Sequence, residues 1–179
     1  MAQRKKIPLL VLFGSLAALG MILFTLGAYK GGTETFLGPM VFLMYLIPVA
    51  CGIIAALTER RRRSGRLEFQ TALRLIFGIM VVAMAVQTLF TWLLVHVFDP
   101  GFGRALAPVV LAKMEAAWRR FGMPEADIQK NIAAARAEDA FAFGSMLFGL
   151  ARDYLLGFLV SLILAVTIKR KNPSGETHK

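Results

Sequence analysis

Four apolar stretches, at residues 7–29, 36–57, 72–98 and 148–168, constrain this chain more than any other feature. Each exceeds the roughly 18 residues at which a helix can cross ~30 Å of hydrocarbon. A soluble fold would have to bury several such helices on all sides within 179 residues. The chain is 57% hydrophobic and only 18% charged, too little polar surface for that alternative. The expected fold is therefore all-α and integral to a membrane, one domain over residues 1–179 with four transmembrane helices.

The first run, "IPLLVLFGSLAALGMILFTLGAY", follows Arg4, Lys5 and Lys6 and looks at first like a secretion signal. Its apolar part is longer than the ~7–15 residues of a signal core and no small-x-small site follows, so a retained helix is expected. A short polar link, "KGGTET", leads into the second run. Pro39 falls in the first turn of that run, where no intrahelical bond is lost, and Pro48 lies within it, where a kink is expected. Cys51 is the single cysteine, so no intramolecular disulfide can form, and its expected role is packing.

Charge fixes the expected orientation. The segment "TERRRRSGRLEFQ" puts five arginines, Arg60, Arg61, Arg62, Arg63 and Arg66, within seven residues. Together with the N-terminal arm, Arg74 and the C-terminal tail (Lys169, Arg170, Lys171 and Lys179), 13 Lys/Arg face only Glu59, Glu68 and Glu176. The link at 30–35, the loop at 99–142 and the Arg152–Asp153 pair are each neutral, so the formal net charge of +10 lies on one side. That is the positive-inside pattern, with both termini cytoplasmic. The arginines, with Lys169, Arg170 and Lys171, are expected to grip anionic headgroups. A nucleic-acid partner is not expected: the basic loop is about 15 residues, tethered at both ends, and only Phe69 offers a stacking ring.

Between the third and fourth runs, about 44 residues are too many for a simple connection. "DPGFG" reads as a break, after which Leu111, Met114, Trp118 and Phe121 recur at helical spacing. Gly122 is a natural stop and Pro124 a natural first residue of a second helix, with Glu125 and Asp127 suited to its positive end. Ile128, Ile132 and Ala135 continue a narrower stripe. An amphipathic helical hairpin over about 105–140 is expected, lying on the outer surface or capping the bundle. The polar tail 172–179 is expected to be disordered.

Charges inside an apolar run need a reason. Arg152 and Asp153 fall ~24 Å from Lys169 along a helix, near the outer interface. His96 should reach a similar depth, which makes His96, Arg152 and Asp153 a candidate polar cluster. Asp153 shares a four-residue spacing with Gly149, Gly157, Ser161 and Ala165, small residues that let another helix approach. Gln87, with Thr88 and Thr91, reads as an interhelical hydrogen-bonding group. There is no metal-ligand spacing, phosphate loop or nucleophile–base motif, so no cofactor, metal site or enzymatic activity is expected.

Three segments carry a family resemblance: "RRRSGRLEFQTALRLIFGI", with Gly65, Phe69, Gln70, Ala72 and Gly78; "VFDPGF"; and "LGFLVSLILAVTIKRKNP". On these the chain resembles the bacterial family catalogued as domain of unknown function number four-one-nine-nine, over nearly its whole length. The arginine run and the Arg152–Asp153 pair are less typical of it. The resemblance implies a four-helix bacterial inner-membrane protein and supplies no catalytic residues. The expected role is an accessory or scaffolding component of an envelope complex. The alternative is a small oligomeric transporter or lipid-handling protein with the outer hairpin as its lid.

Overall fold

The computed structural model describes residues 8–39, 41–64, 67–137 and 141–168. Described residues form helices joined by turns, in the order α1 (Leu9–Lys30), α2 (Gly32–Phe36), α3 (Val41–Met44), α4 (Leu46–Arg62), α5 (Phe69–Leu93), a π-helical turn (Leu94–Phe98), α6 (Pro100–Arg120), α7 (Glu125–Ala137) and α8 (Phe143–Ile168). Four of the described helical stretches are long and apolar enough to cross a bilayer: Leu9–Lys30, Phe42–Arg62, Phe69–Phe98 and Phe143–Ile168. The fold is all-α with four membrane-crossing helices.

The second span starts later than its apolar run. Gly32 takes a left-handed φ of 84°, and the link closes into the short helix α2, where the Thr35 hydroxyl donates to the Gly31 carbonyl at 2.9 Å. Helix resumes only after Gly38 and Pro39, so the span covers Phe42–Arg62 rather than 36–57. The kink expected from Pro48 takes the form of an interruption one turn earlier, between Met44 and Leu46. The proline ring crowds the carbonyl of the residue four before it and supplies no N–H to bond it. That residue is Met44.

The fourth span also starts earlier than expected. Phe143 to Leu147 join the helix, which runs 26 residues, or ~39 Å. The third span and its π turn cover 30 residues, ~45 Å, which exceeds the ~30 Å hydrocarbon layer. Helices of this length tilt or project beyond the hydrocarbon.

Two compact units share these helices in segments. One comprises residues 1–21, 45–85 and 153–179. Its described interior is built from small residues: Ala17, Ala55, Ala56, Ala72, Ala83, Ser161 and Ala165 are buried, with Met21, Ile76, Ile79 and Met80 filling between them. A Cβ on Gly52 would stand 3.0 Å from the Ile76 side chain, so α4 and α5 approach closely there. Phe77 meets Phe158 edge-on at 5.3 Å.

The other unit comprises residues 22–44 and 86–152. Its core gathers Ala28, Phe36, Leu94, Val95 and Leu106, with Tyr29 and Phe102 packed against them. Phe102 makes near-perpendicular contacts with two rings, Tyr29 at 4.7 Å and Phe36 at 5.2 Å. The helix α6 begins directly after the π turn, because "DP" acts as an N-cap and first helical residue rather than as a loop. Gly103 is obligatory there: a Cβ would lie 2.6 Å from the Val95 carbonyl oxygen. The hairpin therefore starts at Pro100, not near 105.

Gly122 ends the first helix of the hairpin as expected, with φ of 74°. Its N–H bonds the Arg119 carbonyl at 3.1 Å and the Met123 N–H bonds that of Trp118 at 3.1 Å, the paired bonds of a Schellman ending. Pro124 stands just ahead of α7 and its carbonyl accepts from Asp127 and Ile128, each at 3.0 Å. Ile128 and Ile132 are buried as the stripe required.

Candidate functional site

The end of α4 is rich in arginine, with Arg60, Arg61 and Arg62 in its last turn. These suit the negative end of the helix. Arg63 follows as the C-cap, and its Nε donates to Glu59 Oε1 at 2.6 Å. Arg61, Arg62 and Arg63 are exposed and Arg60 is half-buried. The other expected lipid contacts, Arg66, Lys169, Arg170 and Lys171, lie outside the described residues.

A cleft of about 500 Å³ opens at this end. Its cationic side is Arg62, Arg63 and Arg74, with Glu59 beside Arg63. Its apolar side is Leu9 and Leu10 from the start of α1 and Leu75 from α5, with Thr71 alongside. Among the described residues neither Arg62 nor Arg74 has a carboxylate partner. Sequence reading counted Arg74 only as part of the basic excess and missed the contribution of α1. The signal was present: Arg74 is a cation at the start of an apolar run, two residues in, which is costly unless something receives it.

Polar groups within the spans pair locally. The Tyr45 hydroxyl donates to Asp153 Oδ2 at 3.0 Å. Tyr45 stands at the interruption caused by Pro48, so the break in the second span presents the phenol to α8. The Tyr154 hydroxyl donates to the Val81 carbonyl at 3.2 Å. His96 bonds the Trp92 carbonyl through Nδ1 at 3.1 Å and stacks on that indole, with ring centroids 5.2 Å apart. Arg152 is exposed. Of the candidate cluster, His96 and Arg152 belong to one compact unit and Asp153 to the other. Tyr45, which the sequence reading did not single out, is the partner seen on Asp153.

Gln87 is buried, as a hydrogen-bonding group between helices would be. Its Nε2 donates to the hydroxyls of Thr25 and Thr91. Its Oε1 is buried with no hydrogen-bond partner among the described groups.

The small-residue spacing on α8 holds for three of its four members. Gly157, Ser161 and Ala165 are buried, and a Cβ on Gly157 would meet the methyls of Met80 at 3.3 Å and Met84 at 3.6 Å. Gly149 is different: a Cβ there would meet nothing within 4 Å. The reason is geometric. Steps of four residues drift about 40° around a helix of 3.6 residues per turn, so Gly149 has slewed off the packed face.

In the helical hairpin, Leu111, Met114 and Trp118 are half-buried, while Phe121 is 87% exposed at the tip. The deep anchor is Leu106, fully buried, with Phe102 one turn earlier. Both were missed because "DPGFG" read as a break and the periodicity was counted from Leu111. Asp99 is the node at the base. Its Oδ1 accepts the Phe102 N–H at 2.9 Å and its Oδ2 accepts the Tyr29 hydroxyl at 2.8 Å. The Phe102 N–H, and then the Tyr29 hydroxyl, hold its carboxyl below the ordinary carboxylate range. Lys113 reaches Glu34 at 3.3 Å, and Arg119 bridges Glu115 at 2.8 Å and Glu125 at 3.0 Å. The Glu125 carboxyl is likewise lowered, first by the Gln129 amide and then by Arg119.

No group of three His, Cys, Asp or Glu side chains that could hold a metal ion occurs among the described residues. A family model described as a protein of unknown function (DUF4199) matches residues 12–170, and the chain belongs to that family. No match was found among curated proteins or among solved structures.

Proposed function

We propose that this member of the family is a non-enzymatic, multi-pass component of the bacterial inner membrane that acts as an accessory or scaffolding subunit of an envelope complex. The basic excess on the N-terminal arm, the α4–α5 segment and the C-terminal tail supports cytoplasmic termini, with the helical hairpin on the opposite side. The observation that carries the reading is the construction of the hairpin. It is capped at Asp99, closed at Gly122, laced by Arg119, and presents Phe121 exposed at its tip. A rigid element with an exposed aromatic at its tip is suited to docking.

A photoreactive amino acid at position 121, activated in native membranes, tests this. Crosslinking to one envelope protein in stoichiometric yield is the expected result. Crosslinks to lipid alone would remove the docking role.

A second reading, a small oligomeric transporter or lipid-handling protein, draws on different residues. The fourth span exposes Phe148, Leu155, Leu156 and Ile163, and this face supports contact with a second copy as well as with lipid. A homo-oligomer around a polar cavity, seen after crosslinking, would favour it over the scaffold.

A further inference from the structure

We propose that the cleft at the basic end of α4 is a binding site for a single anionic glycerophospholipid, with its phosphate between Arg62 and Arg74. The proposal is separate from the docking role of the hairpin, since it uses other residues. It also goes beyond diffuse attraction of a basic loop to a charged surface.

The charges are placed for it. Arg62 ends α4 and Arg74 stands on the second turn of α5, and both line the cleft. Neither is neutralised by a carboxylate among the described residues, whereas Arg63 is held by Glu59. Two planar guanidinium forks with no carboxylate partner among the described residues, at one opening, match the oxygens of a phosphodiester. The Thr71 hydroxyl is a further donor on the same wall.

The floor distinguishes an amphiphile from a free anion. Leu9, Leu10 and Leu75 line the cleft beside the cations, and inorganic phosphate gains nothing from such a surface. Within a turn or two, α1 exposes Val11 and Leu12 and α4 exposes Ile54 and Leu57. An acyl chain would find an apolar track there, continuous with the bilayer. The volume of about 500 Å³ lies within the range of small-ligand clefts, ~300–1,000 Å³. Glu59 neutralises Arg63, so the cationic character of the cleft rests on Arg62 and Arg74.

The full-length chain in nanodiscs of mixed phosphatidylglycerol and phosphatidylcholine provides the test, with retained lipid counted by native mass spectrometry after release. One phosphatidylglycerol should remain in preference to phosphatidylcholine. Arg62→Gln with Arg74→Gln should reduce that preference on the order of tenfold. Arg60→Gln with Arg61→Gln removes the same charge outside the cleft and should leave it within about twofold. The single variant Arg62→Gln, at an exposed position, should show several-fold loss, and retained helicity by circular dichroism separates binding from misfolding. Equal loss in both double variants would reduce the site to diffuse charge and overturn the proposal. Displacement of the lipid by inorganic phosphate would overturn it too, since the cleft would then be a site for the free anion.

Discussion

The hydroxyl of Tyr45 donates to the carboxylate of Asp153 at 3.0 Å, across 108 positions of the chain. The two residues depend on each other through backbone chemistry as much as through the bond itself. Pro48 breaks the second span at Tyr45, and the fourth span carries the acid opposite the break. A carboxylate in a membrane helix is costly without donors, and a phenol is a donor whose ring is itself apolar.

Tyr45→Phe therefore removes the donor and keeps the ring. We predict a loss of about 1–3 kcal/mol, read as a lower thermal midpoint in detergent. Asp153→Asn should cost less than Asp153→Leu, because an amide can still accept from the phenol. A stabilising Asp153→Leu would show that the Tyr45–Asp153 pair is dispensable.

Positions 149 and 157 on α8 should respond in opposite ways to the same substitution. Gly157→Leu drives a branched side chain into Met80 and Met84 and should cost about 1–3 kcal/mol. Gly149→Leu enters open space and should be nearly neutral, within about 0.5 kcal/mol. Equal effects at the two sites would contradict the described packing of this helix.

Acid should loosen the base of the hairpin. The folded carboxyl of Asp99 sits below the ordinary value of about 4, so its contribution is complete above that value and is lost as pH falls through the lower, folded one. Hydrogen exchange of the Phe102 amide should accelerate over that acid range relative to the buried amides of α5. In Asp99→Ala the same amide should exchange fast at every pH, because its acceptor is gone. An unchanged rate in Asp99→Ala would remove the cap from the account.

The orphan oxygen on Gln87 makes an unusual expectation possible. Burial of an unsatisfied acceptor is unfavourable by about 1–3 kcal/mol. Gln87→Met removes it at similar volume, while Thr25 and Thr91 can turn to carbonyls of their own helices. The variant should stay within about 1 kcal/mol of the parent in thermal unfolding. A loss beyond about 3 kcal/mol would mean that Oε1 has a partner of its own in the membrane.

Topology can be checked directly. A reporter fused after Arg66 or Lys171 should read cytoplasmic, and one near Lys130 periplasmic. The reverse would end the orientation argument.

The spans were legible because crossing length depends on composition alone, and no tertiary contact can hide 20 apolar residues. Their ends were less so. Phe36 is as apolar as Phe42, and only Gly38 and Pro39 together decide that helix resumes at Val41. "DPGFG" has the letters of a turn and of an N-cap, and the choice rests on whether Phe102 can fold back between Tyr29 and Phe36. Small residues on α8 were visible as a four-residue spacing, but the drift that releases Gly149 is visible only in three dimensions. The cleft was beyond reach for a similar reason. Its walls come from three helix ends, and nothing in the local pattern near Leu9 announces Arg74.

The third span passes through its π turn into α6 with one residue, Asp99, between them. That residue is fixed on both sides, by the Leu94 carbonyl holding its N–H at 2.8 Å and by its own side chain holding Phe102 and Tyr29. In mechanical terms the joint is braced by side chain and backbone together. A thinner or thicker bilayer obliges a long span to change its tilt. Any such change bears directly on the bonds at Asp99, the joint from which the hairpin with its exposed Phe121 departs.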